Sequence, residues 1–248
     1  MQFMSDLIRD PFLRDERLSA VFDMLGSCGL IADVGCDHGY LSAALISEGR
    51  AGRVIASDIS PFSVEKARAL FEKIGAGDAA SAVEADGLDP LSREEPPYKA
   101  AICGMGGELI AGILERNRRA AEAAELIVMQ PMRGEAELRE YLFKNGFGIT
   151  DERVALDSGR FYQVIAARYG AGNAVPDWFP RGWFRFGWVM TEKRDPNLLP
   201  LLLHYRSVYA SELEKARAKG ACPENVAEEI SRTDTLIEYL EKSRNAAL

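Results

Sequence analysis

The stretch Asp33-Val34-Gly35-Cys36-Asp37-His38-Gly39-Tyr40-Leu41, "DVGCDHGYL", decides the reading of this chain. It is preceded by the apolar run "LIADV" (30–34), which reads as a buried strand, and followed by a helical pattern. A strand, a glycine-bearing loop and a helix are the parts of a nucleotide-binding turn. Gly35 permits the sharp turn and Gly39 permits close approach. A dinucleotide would set its pyrophosphate on the helix N-terminus. Asp37 would then face that anion, and two unit charges about 4 Å apart interact by roughly 4 kcal/mol at an effective dielectric near 20. The loop therefore disfavours NAD and FAD and favours a cationic nucleoside. S-adenosylmethionine carries a sulfonium and an ammonium group, and a loop with Asp33 and Asp37 suits both.

Two further strand ends repeat the theme. "RVIASDIS" (53–60) ends in Asp58, followed by Ile59, nineteen residues beyond Gly39. An acid at that place accepts hydrogen bonds from ribose hydroxyls. "VEADGLDPL" (83–91) then offers Asp86-Gly87, an acid that can receive an adenine amino group. The fourth strand end, "ICGMGGELI" (102–110), leaves the backbone bare at Gly104, Gly106 and Gly107, beside Met105. The fifth, "MQPM" (129–132), brings Gln130, which can donate and accept. The cofactor-binding set is thus Asp33, Gly35, Cys36, Asp37, His38, Gly39, Asp58, Ile59, Asp86, Gly87, Gly104 and Met105. Asp37 and Gln130 are the catalytic candidates, and no metal site is expected. Cys103 lacks an accompanying base and is not read as a nucleophile.

Working outward, residues 30 to 170 alternate short apolar runs with helical patterns. The runs are "LIADV", "RVIASD", "AAICG", "AELIVMQ" and "YQVIAARY". The helical patterns fall at 62–74, 107–121 and 135–146, and residues 17–25 form a covering helix ahead of them. The alternation implies βαβ units and a parallel sheet. After Gly170 the stretch "VPDWFPRGWFRFGW" (175–188) shows no period, marking a boundary between domains 1–170 and 171–248. Two helical stretches follow, 196–219 and 224–243, parted by Gly220 and Pro223. Val226, Ile230, Thr233, Ile237 and Leu240 keep 4-3-4-3 spacing, and Leu202, Tyr205, Tyr209 and Ala216 nearly match it, so the pair reads as an antiparallel coiled-coil hairpin.

At 248 residues and 47% hydrophobic, the chain can bury a sizeable core. No run of about 18 apolar residues suggests a membrane span, and the charged start lacks a signal-peptide core. Four separated cysteines without a C-x-x-C pair fit reduced thiols in the cytoplasm. The net charge of −8 argues against nucleic acid as a sum, but arginines cluster locally in "RNRR" (Arg116, Arg118, Arg119) and "PRGWFRF" (Arg181, Arg185).

Taken together, "RLSAVFDML", "IADVGCDHGYL", "ASDIS", "EADGLDPL", "ICGMGGELI", "MQPM" and "FYQVIAARY" resemble the bacterial TrmK family, the tRNA adenine-22 N1-methyltransferases. The resemblance covers about the first 170 residues, and "MRGEAE" (132–137) departs from the family where asparagine is usual. It implies an α/β fold, a Rossmann-like class I S-adenosylmethionine-dependent methyltransferase domain with a C-terminal antiparallel helical (coiled-coil) hairpin. It implies methyl transfer from S-adenosylmethionine to N1 of an adenine in tRNA, at position 22. Such enzymes often accept hydrogen bonds from the base's amino group with an acidic or amide side chain after the fourth strand. Here that acceptor is a backbone carbonyl, Gln130 or Asp37, with Asp37 preferred. Tyr40, Phe161 and Tyr162 are candidates to stack on the base. The hairpin, with Lys193, Arg194, Arg206, Lys215, Arg217 and Lys219, would grip the tRNA body. The competing readings are a methyltransferase of the same fold acting on a small molecule or protein, and a non-catalytic binding module.

Overall fold

The computed structural model describes residues 15–245 apart from Arg181 and Cys222, with backbone alone at 243–245; Arg181 of the second arginine cluster therefore lies outside the described residues. Strand β1 (Cys28–Val34) is buried along its last five residues, as an interior strand flanked on both edges must be. It pairs in parallel with β2 (Ala51–Asp58) on one side and with β4 (Lys99–Gly106) on the other, so that Asp33 lies level with Ala56 and Ala101. Strand β3 (Ala80–Glu84) continues the sheet beyond β2, and β5 (Leu126–Arg133) continues it beyond β4. With β6 (Phe147–Asp157) and β7 (Arg160–Tyr169), the order across the described sheet is β3-β2-β1-β4-β5-β7-β6. The chain reverses direction across the sheet between β1 and β4. Open α/β sheets bind ligands at the carboxyl ends of strands at such a switch point.

The expected all-parallel sheet is corrected at one edge: β7 runs antiparallel to both β5 and β6. The reason is local. Asp157 pairs with Arg160 across a two-residue turn, and Ser158 and Gly159 both have positive φ, 47° and 77°. A turn of that kind twists the way paired strands twist, so the chain folds back at once rather than crossing over through a helix.

Helices cover both faces. α1 (Glu16–Leu25) is capped by Asp15, whose carboxylate accepts the Leu18 N–H at 2.9 Å, and it buries Val21, Phe22, Met24 and Leu25. Its last carbonyl, that of Leu25, accepts from the Lys99 ammonium at 2.9 Å, and the carbonyl of Ser27, two residues beyond, does so at 3.1 Å. α2 (Tyr40–Ser47) follows the loop of β1, and α3 (Pro61–Lys73) follows β2 with Ser60 as its cap. Gly39 lies between them. A Cβ there would sit 2.9 Å from the Ala67 Cβ and 3.1 Å from Phe71, so the glycine that the loop requires admits helix α3.

The helix expected over 107–121 is two. α4 (Gly107–Arg116) stops at Asn117, and α5 (Arg118–Ala123) begins after it. Asn117 leaves the helix because its amide accepts the Leu88 N–H at 3.0 Å and donates to Asp89 at 2.6 Å, pinning the 3-10 turn Asp89–Arg93. α6 (Glu135–Lys144) completes the layer. Its Arg139 is wholly buried, where it meets Glu152 of β6 at 2.7 Å and Gln163 of β7 at 2.8 Å. It also donates to the carbonyls of Phe184 and Arg185 at 3.2 and 3.3 Å.

The chain divides into two compact units. The first runs to Ala174 and takes in Phe184–Phe186; the second comprises Val175–Trp183 and the residues from Gly187 onward. In the second unit, α7 (Trp188–Glu192) precedes α8 (Leu198–Ala218) and α9 (Glu224–Asn245), which pack on each other. Leu202, Leu213, Val226, Thr233, Leu236, Ile237 and Leu240 are buried along the two helices, and Arg206 bridges to Asp234 at 2.5 Å. The aromatic segment wraps this pair. Trp178 stacks on Tyr239 at 4.0 Å between centroids, and the Trp183 indole N–H donates to Glu229 at 3.1 Å. Among the described residues, no helix is long and apolar enough to cross a membrane.

Candidate active site

At the carboxyl ends of β1, β2 and β4 lies a cleft of about 360 Å3 lined by Arg17, Leu18, Asp33, Gly35, Cys36, Asp37, His38, Tyr40, Leu41, Asp58, Cys103, Gly104 and Met105. The sheet builds it. Gly35 and Cys36 donate their N–H groups to the Ser57 carbonyl at 2.8 and 3.1 Å, which draws the β1 loop over the end of β2. Asp37 follows with φ of 44°, a left-handed conformation that aspartate tolerates better than most residues. Its N–H donates to Asp58 at 3.3 Å, and the other Asp58 oxygen accepts the Ser60 N–H at 2.8 Å. The Asp58 carboxylate is thereby held by two backbone donors, with acceptor capacity remaining.

Three carboxylates of different character share the space. Asp33 is 4% exposed and accepts the Ser42 hydroxyl at 2.7 Å. Burial lifts its pKa from 3.8 to about 6, and the neighbouring Asp58 adds to the rise, while the Ser42 hydrogen bonds oppose it. Asp37 is open to solvent and is met by His38 Nδ1 at 2.6 Å and by Lys66 Nζ at 3.7 Å. His38 stacks flat on Tyr40, 5.5 Å between centroids with 7° between planes. Burial and the nearby carboxylates push the Cys36 and Cys103 thiols well above their ordinary range, so neither is a thiolate nucleophile.

The structure brings Asp33, Gly35, Cys36, Asp37, His38, Asp58, Gly104 and Met105 together around the cleft. It leaves Gly39, Ile59, Asp86 and Gly87 out of the lining. Gly39 serves helix packing, and Ile59 stands 73% exposed beyond Asp58. Asp86 meets Arg116 at 3.2 Å, and Gly87 lies against Ile113 and Asn117.

Gln130 is fully buried and is not among the residues lining the cleft; its Oε1 accepts from Arg17 at 2.8 Å and from the Gly104 N–H at 3.3 Å, while its Nε2 donates to the Pro131 carbonyl at 2.7 Å. Two arginines of the "RNRR" cluster are engaged within the chain, Arg116 with Asp86, and Arg118 with Glu122 and the Asn145 carbonyl, while Arg119 is exposed. Phe161 pairs with Leu156 within the β6–β7 hairpin, and Tyr162 lies beneath the Arg17 guanidinium at 5.9 Å.

Sequence reasoning passed over Arg17 and Leu18 of α1, and Leu41 of α2, as parts of the site. For Arg17 the only signal was its place at the head of "RLSAVFDML" (17–25), a stretch read as a covering helix. As a whole, three carboxylates against one guanidinium suit a ligand of net positive charge bearing one anionic group.

Comparison with known proteins bears on the same residues. A family model described as "Methyltransferase domain" matches residues 14–165. The tRNA (adenine(22)-N(1))-methyltransferase of Bacillus subtilis is 31% identical over 162 residues, which span 65% of this chain and 68% of that protein. Among solved structures, a Streptococcus pneumoniae protein in complex with S-adenosyl-L-methionine superposes with a TM-score of 0.79 at 24% identity, over 90% of this chain and 99% of that one. The Mycoplasma capricolum TrmK bound to S-adenosylhomocysteine gives 0.73 at 19% identity, over 91% and 96%. The chain therefore belongs to the methyltransferase-domain family and, within it, to the TrmK family.

Proposed function

We propose that this protein transfers a methyl group from S-adenosylmethionine to N1 of an adenine in tRNA, at position 22. The observation that carries the reading is the trio of carboxylates Asp33, Asp37 and Asp58 around one cleft at the switch point of the sheet. Desolvated carboxylates are costly unless a cation meets them. Asp33, with its raised pKa, bears that cost in the free protein, and a sulfonium or ammonium group relieves it. A dinucleotide pyrophosphate, being an anion, would be repelled by the same three charges. The residues present thus fit the methyl donor, and the 31% identical relative, a tRNA (adenine(22)-N(1))-methyltransferase, supports the acceptor.

Bound S-adenosylmethionine supplies an electrophilic methyl group on a sulfonium. The chain supplies position and charge. Asp58 accepts hydrogen bonds from ribose hydroxyls with the acceptor capacity its two backbone donors leave. Gly104 is exposed at the end of β4 and presents no side chain of its own to an approaching acceptor base. Adenine N1 carries a lone pair at neutral pH, so no base must act before attack, and orientation alone can contribute about 7–11 kcal/mol. As N1 gains the methyl group, positive charge passes into the ring and the exocyclic amino group becomes more acidic. Asp37, exposed at the cleft, accepts a hydrogen bond from that amino group and stabilises the charge. Because N1 lies on the Watson–Crick edge, the target base must be unpaired or flipped. The hairpin of α8 and α9, with Lys215, Arg217 and Lys219 exposed, holds the tRNA body through phosphates.

The test is transfer of tritiated methyl from S-adenosylmethionine to bulk bacterial tRNA, followed by nucleoside mass spectrometry and mapping of the modified position. N1-methyladenine at position 22 is the expected product. Incorporation into protein or a small molecule, with none into tRNA, would overturn the acceptor; absence of S-adenosylmethionine binding would leave only a binding module of the same fold.

A further inference from the structure

The cleft is acidic, yet its proposed acceptor is a polyanion. Asp33, Asp37 and Asp58 lie on the β1 and β2 side of the exposed Gly104. An RNA strand that brings a base to Gly104 carries its phosphates toward three carboxylates, and a cation beside that base is needed to offset the repulsion. Two nearby cations are already engaged. Arg17 donates to Gln130 and to Asp15, each at 2.8 Å, and Lys66 lies 3.7 Å from Asp37.

Arg133, at the end of β5, is placed differently. β5 adjoins β4 on the side away from β1, so Arg133 stands across the glycines of the β4 loop from the carboxylates. It is level with Gly106, and a Cβ at Gly106 would meet its Nε at 3.8 Å. Its stem therefore runs along backbone that bears no side chain. Arg133 is exposed, and among the described residues its guanidinium makes no salt bridge or hydrogen bond. All its N–H donors remain for a ligand, in a planar fork that matches a phosphate.

What surrounds this guanidinium suits a nucleotide better than a lone ion. A Cβ at Gly107 would lie 1.9 Å from the Gly134 carbonyl oxygen, so the loops after β4 and β5 touch, and Leu109 of α4 comes beside Met132 and Arg133. Leu109 is 51% exposed and Met132 46%. Met132 is steadied from below, where its Sδ accepts from Gln130 Nε2 at 3.8 Å. Bare apolar area next to an uncommitted guanidinium matches a nucleotide, whose base presents an apolar face a short way from its phosphate.

We infer that Arg133 receives a backbone phosphate of the tRNA beside the target adenine and so acts as a positioning residue for the acceptor. The inference rests on the proposed tRNA methylation and deepens it. It assigns Arg133 no part in holding the methyl donor.

Steady-state methylation of tRNA and filter binding at several salt concentrations test it, with Arg133→Gln and Arg133→Lys beside the unaltered protein. A phosphate is held alike before and during methyl transfer, so its loss shows in KM rather than kcat. Arg133→Gln should raise KM for tRNA roughly 3- to 10-fold with kcat within about twofold, and lower the log–log salt slope of tRNA binding by about 1. Arg133→Lys should restore the slope and most of the KM, because a phosphate accepts a point charge as well as a fork. S-adenosylhomocysteine affinity, measured by calorimetry, should stay within about twofold in both variants, which also shows them folded. An unchanged KM and slope in Arg133→Gln would overturn the inference while tRNA methylation by the unaltered protein stands. So would a lysine variant as impaired as the glutamine one, or a matching loss of S-adenosylhomocysteine affinity, which would make Arg133 structural. If the unaltered protein methylates no tRNA, the proposed function fails and this inference fails with it.

Discussion

Replacing Asp33 with asparagine should make the free protein more stable and worse at holding its ligand. Asp33 is buried at the end of β1, with a hydroxyl hydrogen bond from Ser42. In the folded chain its pKa is about 6 against an ordinary 3.8, chiefly through burial. At about 1.36 kcal/mol per pKa unit, that rise corresponds to roughly 3 kcal/mol held against the ionised form. The sign follows from proton binding. Between pH 4 and 6 the folded state keeps a proton that the unfolded state has released, so stability falls as pH rises through that window. The contribution of this group is fully present below about 4 and lost above about 6. Asparagine does not titrate, and its amide oxygen can accept the Ser42 hydroxyl. Urea denaturation of the native chain and of Asp33→Asn, at intervals from pH 4.5 to 7.5, should give a stability difference that grows with pH by about 2 kcal/mol in favour of the variant. S-adenosylhomocysteine binding should move the other way, weakened at pH 7.5, and for the native chain it should fade as pH drops below 6 and Asp33 takes up its proton. A stability difference that stays flat across the range would refute the reasoning, because the buried carboxylate would then carry no penalty for the ligand to relieve.

Asp58→Ala should weaken S-adenosylhomocysteine roughly 10- to 100-fold, matching about 1.5–3 kcal/mol for hydrogen bonds to a charged acceptor, with little change in melting temperature; unaltered affinity in calorimetry would remove Asp58 from ribose binding. Asp37→Asn should lower kcat for tRNA methylation by about tenfold or more while changing ligand affinity far less, and equal losses in the two assays would make Asp37 a cofactor contact only. Reversing Lys215, Arg217 and Lys219 to glutamate should cut tRNA affinity and flatten its salt dependence by about 2–3 in the log–log slope, leaving S-adenosylhomocysteine binding intact. Filter binding at several salt concentrations measures this, and an unchanged slope would exclude the hairpin as the RNA grip.

Sequence alone determined the parts whose chemistry is local. Strands β1, β2, β4, β5 and β7 are short apolar runs, and their burial writes itself in consecutive apolar residues. The loop of Asp33 to Gly39 and the acid at Asp58 could be placed because a turn between strand and helix constrains residue type at each position. What stayed hidden was whatever depends on partners distant along the chain. Strand β6 was not recognised because its centre reads Asp151-Glu152-Arg153, yet Glu152 is buried against Arg139 of α6, and a charge at an interior position breaks the alternation that marks a strand. Asn117 broke a helix that its neighbours would have continued, for the sake of bonds to Leu88 and Asp89 some thirty residues away. Gln130 offered two functional groups that looked free to react, and Arg17 looked like one more charge on a covering helix. Only folding set them 2.8 Å apart across 113 residues of sequence and made one the support of the other. A side chain's type states which bonds it can make; which bonds it does make is decided by what the sheet brings within reach.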